Sequence, residues 1–321
     1  MKFRFARTAK FVCASFLLIG FLVSSTGAQD LPAKVAEEIA LPAKMQALLA
    51  AQSSSIKLGI WVGRADGNSL VQWHDAEPRP VASAVKIAML IELFDKYADR
   101  LDETRSELLS FMLADHPAVV HFSESQREEI RAQIASASIR RIGRVMMGSE
   151  AASNIVYNAA ANMTIALLGG PDHLTQLMHQ RAPELQEIYV CRYMLAPRNQ
   201  PRDNTATPRS LATIWRWLAN ESIPGVNQAT FMSIEKAIRH TELRFALEGR
   251  HLYKDGALDS LPLTRVHAGS WTVRNERFAY VVMLEQSDTG ASNPNTVTKY
   301  FADLATSLSE IAIASAIDGQ R

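Results

Sequence analysis

Pro78-Arg79-Pro80-Val81-Ala82-Ser83-Ala84-Val85-Lys86-Ile87-Ala88-Met89-Leu90 places a chain-stiffening turn, a hydroxyl and an amine in one short run. The two prolines cannot continue a preceding element. The apolar pattern from Ala82 to about Leu101 predicts a helix that begins just after them. On a helix, residues three apart share a face, so Lys86 can reach the Ser83 hydroxyl. The helix N-terminus favours negative charge on that oxygen. The small and apolar neighbours Ala82, Ala84, Val85, Ile87 and Ala88 would desolvate the amine and lower its pKa toward that of a working base. A Ser-x-x-Lys pattern arises roughly once by chance in a chain of this size, and two others are present, Ser54–Lys57 and Ser233–Lys236. Ser54 precedes a predicted strand, where residues three apart point to opposite faces. Ser233 lies inside a helical stretch with no turn to open it. Ser83 is the candidate nucleophile and Lys86 its candidate base.

Outward from this segment the pattern changes period. Residues 31–51 read as an amphipathic helix with Leu31, Val35, Ile39, Met45 and Leu48 on one face. Strands are predicted over Lys57–Val62 and Ser69–Trp73, joined by a turn at Arg64-Ala65-Asp66-Gly67-Asn68. Residues 104–236 are mostly helical. Strands return at His251–Leu258, Val266–Val273 and Phe278–Glu285, with a tight turn at Arg274-Asn275-Glu276-Arg277. Thr296–Ile313 reads as a closing helix. This order predicts an α+β fold: an antiparallel five-stranded sheet flanked by the terminal helices, and an inserted all-helical lobe. The sheet lobe takes about 29–80 and 240–321, the helical lobe about 81–239, and a cleft lies between them.

Bulk properties narrow the function. Lys2, Arg4, Arg7 and Lys10 precede an apolar run from Phe11 to Val23 and then Thr26-Gly27-Ala28, the pattern of a secretory signal peptide over 1–28. The run is short for a membrane span. An exported protein, periplasmic or secreted, without stable membrane insertion is expected. About 290 residues would remain, enough for one large domain. The net charge of +1 gives no reason to expect nucleic acid as a partner. Cys191 would be the only cysteine left after cleavage, so no internal disulfide is expected. The eight histidines form no metal motif, and His251 and His267 read as structural. No metal and no cofactor is expected, and a monomer is.

Further segments fall in a telling order. Asp75–Lys86, Leu168-Gly169-Gly170-Pro171-Asp172-His173-Leu174, Asn204-Thr205-Ala206-Thr207-Pro208-Arg209-Ser210-Leu211-Ala212 and Lys254-Asp255-Gly256 follow one another at spacings that resemble the serine β-lactamases and penicillin-binding proteins, class A β-lactamases in particular. The resemblance covers most of the chain after residue 28. It implies a β-lactamase/transpeptidase-like fold and a serine hydrolase acylated on Ser83. Backbone N–H groups of Ser83 and of the residue after Gly256 would form the oxyanion hole. Lys254 would hold a substrate carboxylate, with Arg265 as a second positive charge.

The chain departs from the family pattern at three places. The family's Ser-x-Asn element is unclear: counting back from Gly169 gives Val156-Tyr157-Asn158, whereas counting from Met146-Met147 gives Ser149 and Asn154. Ser149 and Asn154 are the favoured pair, because Gly148-Ser149 reads as a helix start. Lys254-Asp255-Gly256 replaces the hydroxyl-bearing triplet, and an aspartate there would repel an anionic substrate and pair with Lys254. Between Glu187 and Glu221 the only acid is Asp203, among Arg192, Arg198, Arg202 and Arg209. The glutamate that activates the deacylating water in class A enzymes therefore has no counterpart. The resemblance implies a small-molecule β-lactam or peptide-like substrate and slow deacylation. The alternative is a DD-peptidase-like penicillin-binding protein or a non-hydrolytic sensor of cell-wall peptides.

Overall fold

Nine residues of β1, Ile56–Arg64, show why the sheet sits where it does. Side chains alternate across a strand. Leu58, Ile60 and Val62 fall on one face and join the apolar cluster built by the chain ends, while Trp61 joins the cluster of the helical lobe. The same alternation divides β8: Phe278, Tyr280, Val282 and Leu284 on the first face, Ala279, Val281 and Met283 on the second. Both faces are covered, so these strands are continuous apolar runs rather than half-polar ones.

The computed structural model describes residues 41–52, 55–198, 202–238, 245, 249–288 and 294–318. In chain order they form α1 (Ala43–Ala50), β1, β2 (Ser69–Trp73), β3 (Arg79–Pro80), a 3₁₀ turn (Ala82–Val85) and α2 (Lys86–Lys96). Then come α3 (Glu107–Phe111), α4 (Glu124–Ile134), α5 (Ile139–Met147), α6 (Asn154–Leu167) and α7 (Pro171–Arg181). β4 (Thr205–Ala206), α8 (Pro208–Ala219) and α9 (Gln228–Ile238) lead to β5 (Arg250–Tyr253), β6 (Gly256–Leu258), β7 (Leu263–Val273), β8 (Glu276–Gln286) and α10 (Pro294–Asp318). The residues predicted to form a signal peptide, and the 31–40 part of the predicted first helix, lie outside the described residues.

The fold is α+β, as predicted. The antiparallel sheet runs β2-β1-β8-β7-β5, with β6 also on β7. β1 and β8 pair along their length, from Ile56 opposite Gln286 to Arg64 opposite Phe278. Strands more than two hundred residues apart in sequence are therefore neighbours. The single strand expected over His251–Leu258 is divided into β5 and β6, with Lys254 and Asp255 between them. Arg274 and Asn275, at φ 50° and 67°, close the β7–β8 hairpin in the mirror-image turn that matches strand twist. α1 and α10 cover one face through Met45, Phe301, Leu304 and Leu308. α8 lies on the other, and beyond it α2 is the axis of the helical lobe, buried from Lys86 to Phe94.

Two local differences bear on the site. The helix predicted from Ala82 opens as a 3₁₀ turn, with Ala82 in the left-handed region at φ 49°. Gly148-Ser149 ends a helix rather than starting one. Gly148 takes φ 81° as the left-handed cap of α5, a conformation open to glycine because it has no Cβ. The next helix, α6, begins one cap later: Ser153 Oγ accepts from Val156 N at 3.2 Å.

Candidate active site

The 3₁₀ turn, the start of α6 and strand β6 border a cleft of about 730 Å³. Ala82, Ser83, Asn154, Tyr157, Asn158, Gly256 and Arg265 are among its lining. Ser83 sits one residue after the left-handed Ala82, a backbone state of sparse population that packing against β6 holds in place. Gly256 makes that packing possible. A Cβ there would stand 2.7 Å from the Val81 carbonyl oxygen and 2.9 Å from both Ala82 Cβ and the Ala84 nitrogen. The strand thus comes as close to the serine turn as backbone allows.

Lys86 is fully buried, with 0% exposure. Its Nζ donates to Asn158 Oδ1 at 3.0 Å and lies 3.2 Å from the centroid of the Tyr157 ring. Asn158 is itself fixed, its Nδ2 donating to the Asn154 carbonyl at 2.9 Å and to Asn154 Oδ1 at 3.0 Å. Burial brings Lys86 down to about 7, and the neighbouring Lys254 charge adds to this, while Tyr157 opposes it. Burial also disfavours ionisation of the Tyr157 phenol. The positive charges of Lys86 and Lys254, with the side chains of Lys254 and Ser83 beside the phenol, outweigh burial and bring Tyr157 down to about 7. The direct Ser83–Lys86 hydrogen bond expected from helical spacing is not formed. The ammonium group is instead taken up by Asn158 Oδ1 and by the face of the Tyr157 ring.

The structure brings Ser83, Asn154, Gly256 and Arg265 to one cleft, whereas Lys86 lies buried behind it against Tyr157 and Asn158, which do line it. Lys254 Nζ lies 5.5 Å from the Tyr157 ring centroid and donates to the Asp255 carbonyl at 2.8 Å. The expected pairing with the Asp255 carboxylate is replaced by this backbone bond. Ser149 is elsewhere: its hydroxyl donates to the Arg144 carbonyl at 3.2 Å at the end of α5, and it does not line the cleft. Tyr157 is the group that the Ser149 register passes over. Counting back from Gly169 reaches it, because α6 runs unbroken into the Gly169-Gly170 turn, both glycines at positive φ.

The loop facing Ser83 holds Asp203 between two guanidinium groups. Arg192 Nη2 reaches Asp203 Oδ1 at 2.7 Å and Arg198 reaches Oδ2 at 2.7 Å. Its carboxylate is fully engaged there. His267 bonds Ser309 Oγ at 2.9 Å and His251 bonds the Tyr280 hydroxyl at 2.8 Å, so both have structural partners as expected.

Solved structures of β-lactamases share this arrangement of elements along nearly their whole length. A class A β-lactamase from Bacteroides cellulosilyticus superposes with a TM-score of 0.60 at 15% identity, covering 85% of this chain and 95% of that one. The reconstructed last common ancestor of Gram-negative class A β-lactamases gives 0.61 at 17%, covering 85% and 97%. A β-lactamase from Burkholderia vietnamiensis gives 0.60 at 15%, covering 86% and 99%. The chain has the class A β-lactamase fold. No protein-family model and no curated protein sequence matches it. At such identities the likeness concerns the fold, and the chemistry must be read from the residues. Among the described residues no helix is long and apolar enough to cross a membrane, and no cluster of His, Cys, Asp and Glu could hold a metal ion.

Proposed function

We propose that this protein is an exported serine hydrolase of the β-lactamase-like kind, acylated on Ser83 by a β-lactam or a related amide or ester and deacylated slowly. The observation that carries this reading is that Ser83 and Tyr157 line one cleft and the buried Lys86 ammonium lies 3.2 Å from the Tyr157 ring centroid, with Lys86 and Tyr157 both brought to about 7. A group poised near neutrality can take the hydroxyl proton and return it. Ser83 Oγ attacks the acyl carbon as its proton passes to Tyr157, with Lys86 and Lys254 stabilising the phenolate. The proton then goes to the leaving nitrogen as the C–N bond breaks. Backbone N–H groups of Ser83 and Ala257 are the oxyanion donors in this scheme. The close approach of Gly256 to the Ser83 turn supports that role.

Slow deacylation rests on Asp203, the loop's one acid, being held by Arg192 and Arg198. With both oxygens engaged by guanidinium groups, the carboxylate is not free to hold a water against the acyl carbonyl. The same observation favours a penicillin-binding or sensing role over rapid resistance chemistry. Incubation with a fluorescent penicillin, followed by mass spectrometry of the Ser83 peptide, tests the reading. A covalent adduct lost in Ser83→Ala is expected. Neither adduct nor hydrolysis would overturn it.

A further inference from the structure

Arg265 extends from β7 to the end of β6 and forms part of the cleft wall with its side chain only 10% exposed. Its Nη2 donates to Asp259 Oδ1 at 2.6 Å, and its Nη1 donates to the Thr264 carbonyl at 2.8 Å. Asp259, 68% exposed at its side chain, opens the turn between β6 and β7 and lines the same cleft. That turn is staked from the facing loop. Arg198 Nη1 donates to the Ser260 carbonyl at 2.6 Å and the Pro262 carbonyl at 3.0 Å, while the same guanidinium holds Asp203. The Asp259 carboxylate is thus presented to Arg265 by a fixed backbone.

We propose that Asp259 is a specificity-determining residue: its carboxylate occupies the guanidinium that a substrate carboxylate would use, so the cleft favours acyl donors uncharged at that end. The proposal rests on the acyl-transfer reading above and names the substrate class for it. A guanidinium recognises an incoming carboxylate through paired N–H donors. Here one terminal nitrogen is committed to Asp259 and the other to backbone. The other guanidinium lining the cleft, Arg192, is committed to Asp203. An anionic donor must displace Asp259 and meet its charge at short range, whereas a neutral ester or amide meets neither obstacle. The pair is exposed on the aspartate side, so it is a filter and not a lock.

The test compares acylation of Ser83 by benzylpenicillin and by its methyl ester in the wild type, Asp259→Asn and Asp259→Glu. Asp259→Asn should raise the acid-to-ester ratio of second-order rate constants roughly three- to fivefold. Asp259→Glu, which keeps the charge, should stay near the wild-type ratio. Equilibrium dialysis with phenylacetylglycine and its amide, which do not acylate, reads the same filter if Ser83 proves unreactive. That outcome would sink the acyl-transfer reading and leave the filter to be judged by binding alone. There the asparagine variant should gain affinity for the acid relative to the amide. An unchanged acid-to-neutral ratio in Asp259→Asn, or the same rise in Asp259→Glu, overturns the proposal.

Discussion

The ammonium group of Lys86 stands 3.2 Å from the centroid of the Tyr157 ring, over the face of a phenol that borders Ser83. Cation–π attraction favours the charged lysine, and burial opposes it. The two groups share a titration, so the pair and not either residue alone determines when Ser83 can lose its proton.

Tyr157→Phe keeps the ring under Lys86 and removes the phenol oxygen. Acylation of Ser83 should fall about 10²- to 10⁴-fold, the usual effect of losing a positioned proton carrier. Stopped-flow measurement with a fluorescent penicillin checks this. A variant that acylates at the wild-type rate would return the base role to Lys86 alone.

The acylation rate should rise with pH through about 7, where the Lys86–Tyr157 pair loses its proton. In Tyr157→Phe this inflection should move, because the partner that tunes Lys86 is gone. A rate flat from pH 5.5 to 8.5 in the wild type would contradict the assignment.

Lys86 also makes stability depend on pH. Its folded-state value, about 7, lies below its ordinary value of 10.5, so between these values the unfolded chain binds the extra proton. Stability therefore rises as pH increases from about 7 and is lowest, from this group, below it. Lys86→Met removes the cost. Its stability relative to the wild type should be greater at pH 6 than at pH 9 by roughly 2–3 kcal/mol, read from urea denaturation.

Gly256→Val inserts a side chain where a Cβ would meet the Val81 carbonyl oxygen at 2.7 Å. Strand β6 must move away from the serine turn, separating the two oxyanion donors. Acylation should drop about 10²- to 10³-fold, as when one such donor is lost. Circular dichroism would show whether the fold remains.

Arg181 joins α7 to α2 through Glu92 at 2.6 Å and Asp95 at 2.7 Å, with Arg181 and Glu92 only 8% and 6% exposed. Arg181→Ala leaves a buried carboxylate unpaired and should destabilise the protein by about 3–5 kcal/mol. Arg181→Met with Glu92→Leu should recover most of the loss, and denaturation curves of both variants decide this.

The architecture is written locally. Short continuous apolar runs such as Leu58–Val62 and Phe278–Leu284 fit central strands covered on both faces, and the order of helical and strand segments leaves few ways to pair them. The Ser83–Lys86 motif and the missing loop acid are likewise readable, because each depends on residue type along a short stretch of chain, whereas the close approach of Gly256 to the serine turn is seen only in the packed structure. The register of α6 is not readable either. It turns on whether Gly148 ends one helix or begins another, and a glycine can do either until the packing of α5 against α6 fixes its φ at 81°. That choice sends Ser149 away from the cleft and brings Tyr157 into it. The Asp259–Arg265 pair is also invisible in the sequence, where both residues read as ordinary charges. It exists because the β6–β7 turn, held by Arg198 from a loop sixty residues earlier, aims one side chain at the other. Local chemistry chooses elements and candidate groups, whereas side-chain partners across the cleft depend on long-range packing that no short window of residues contains.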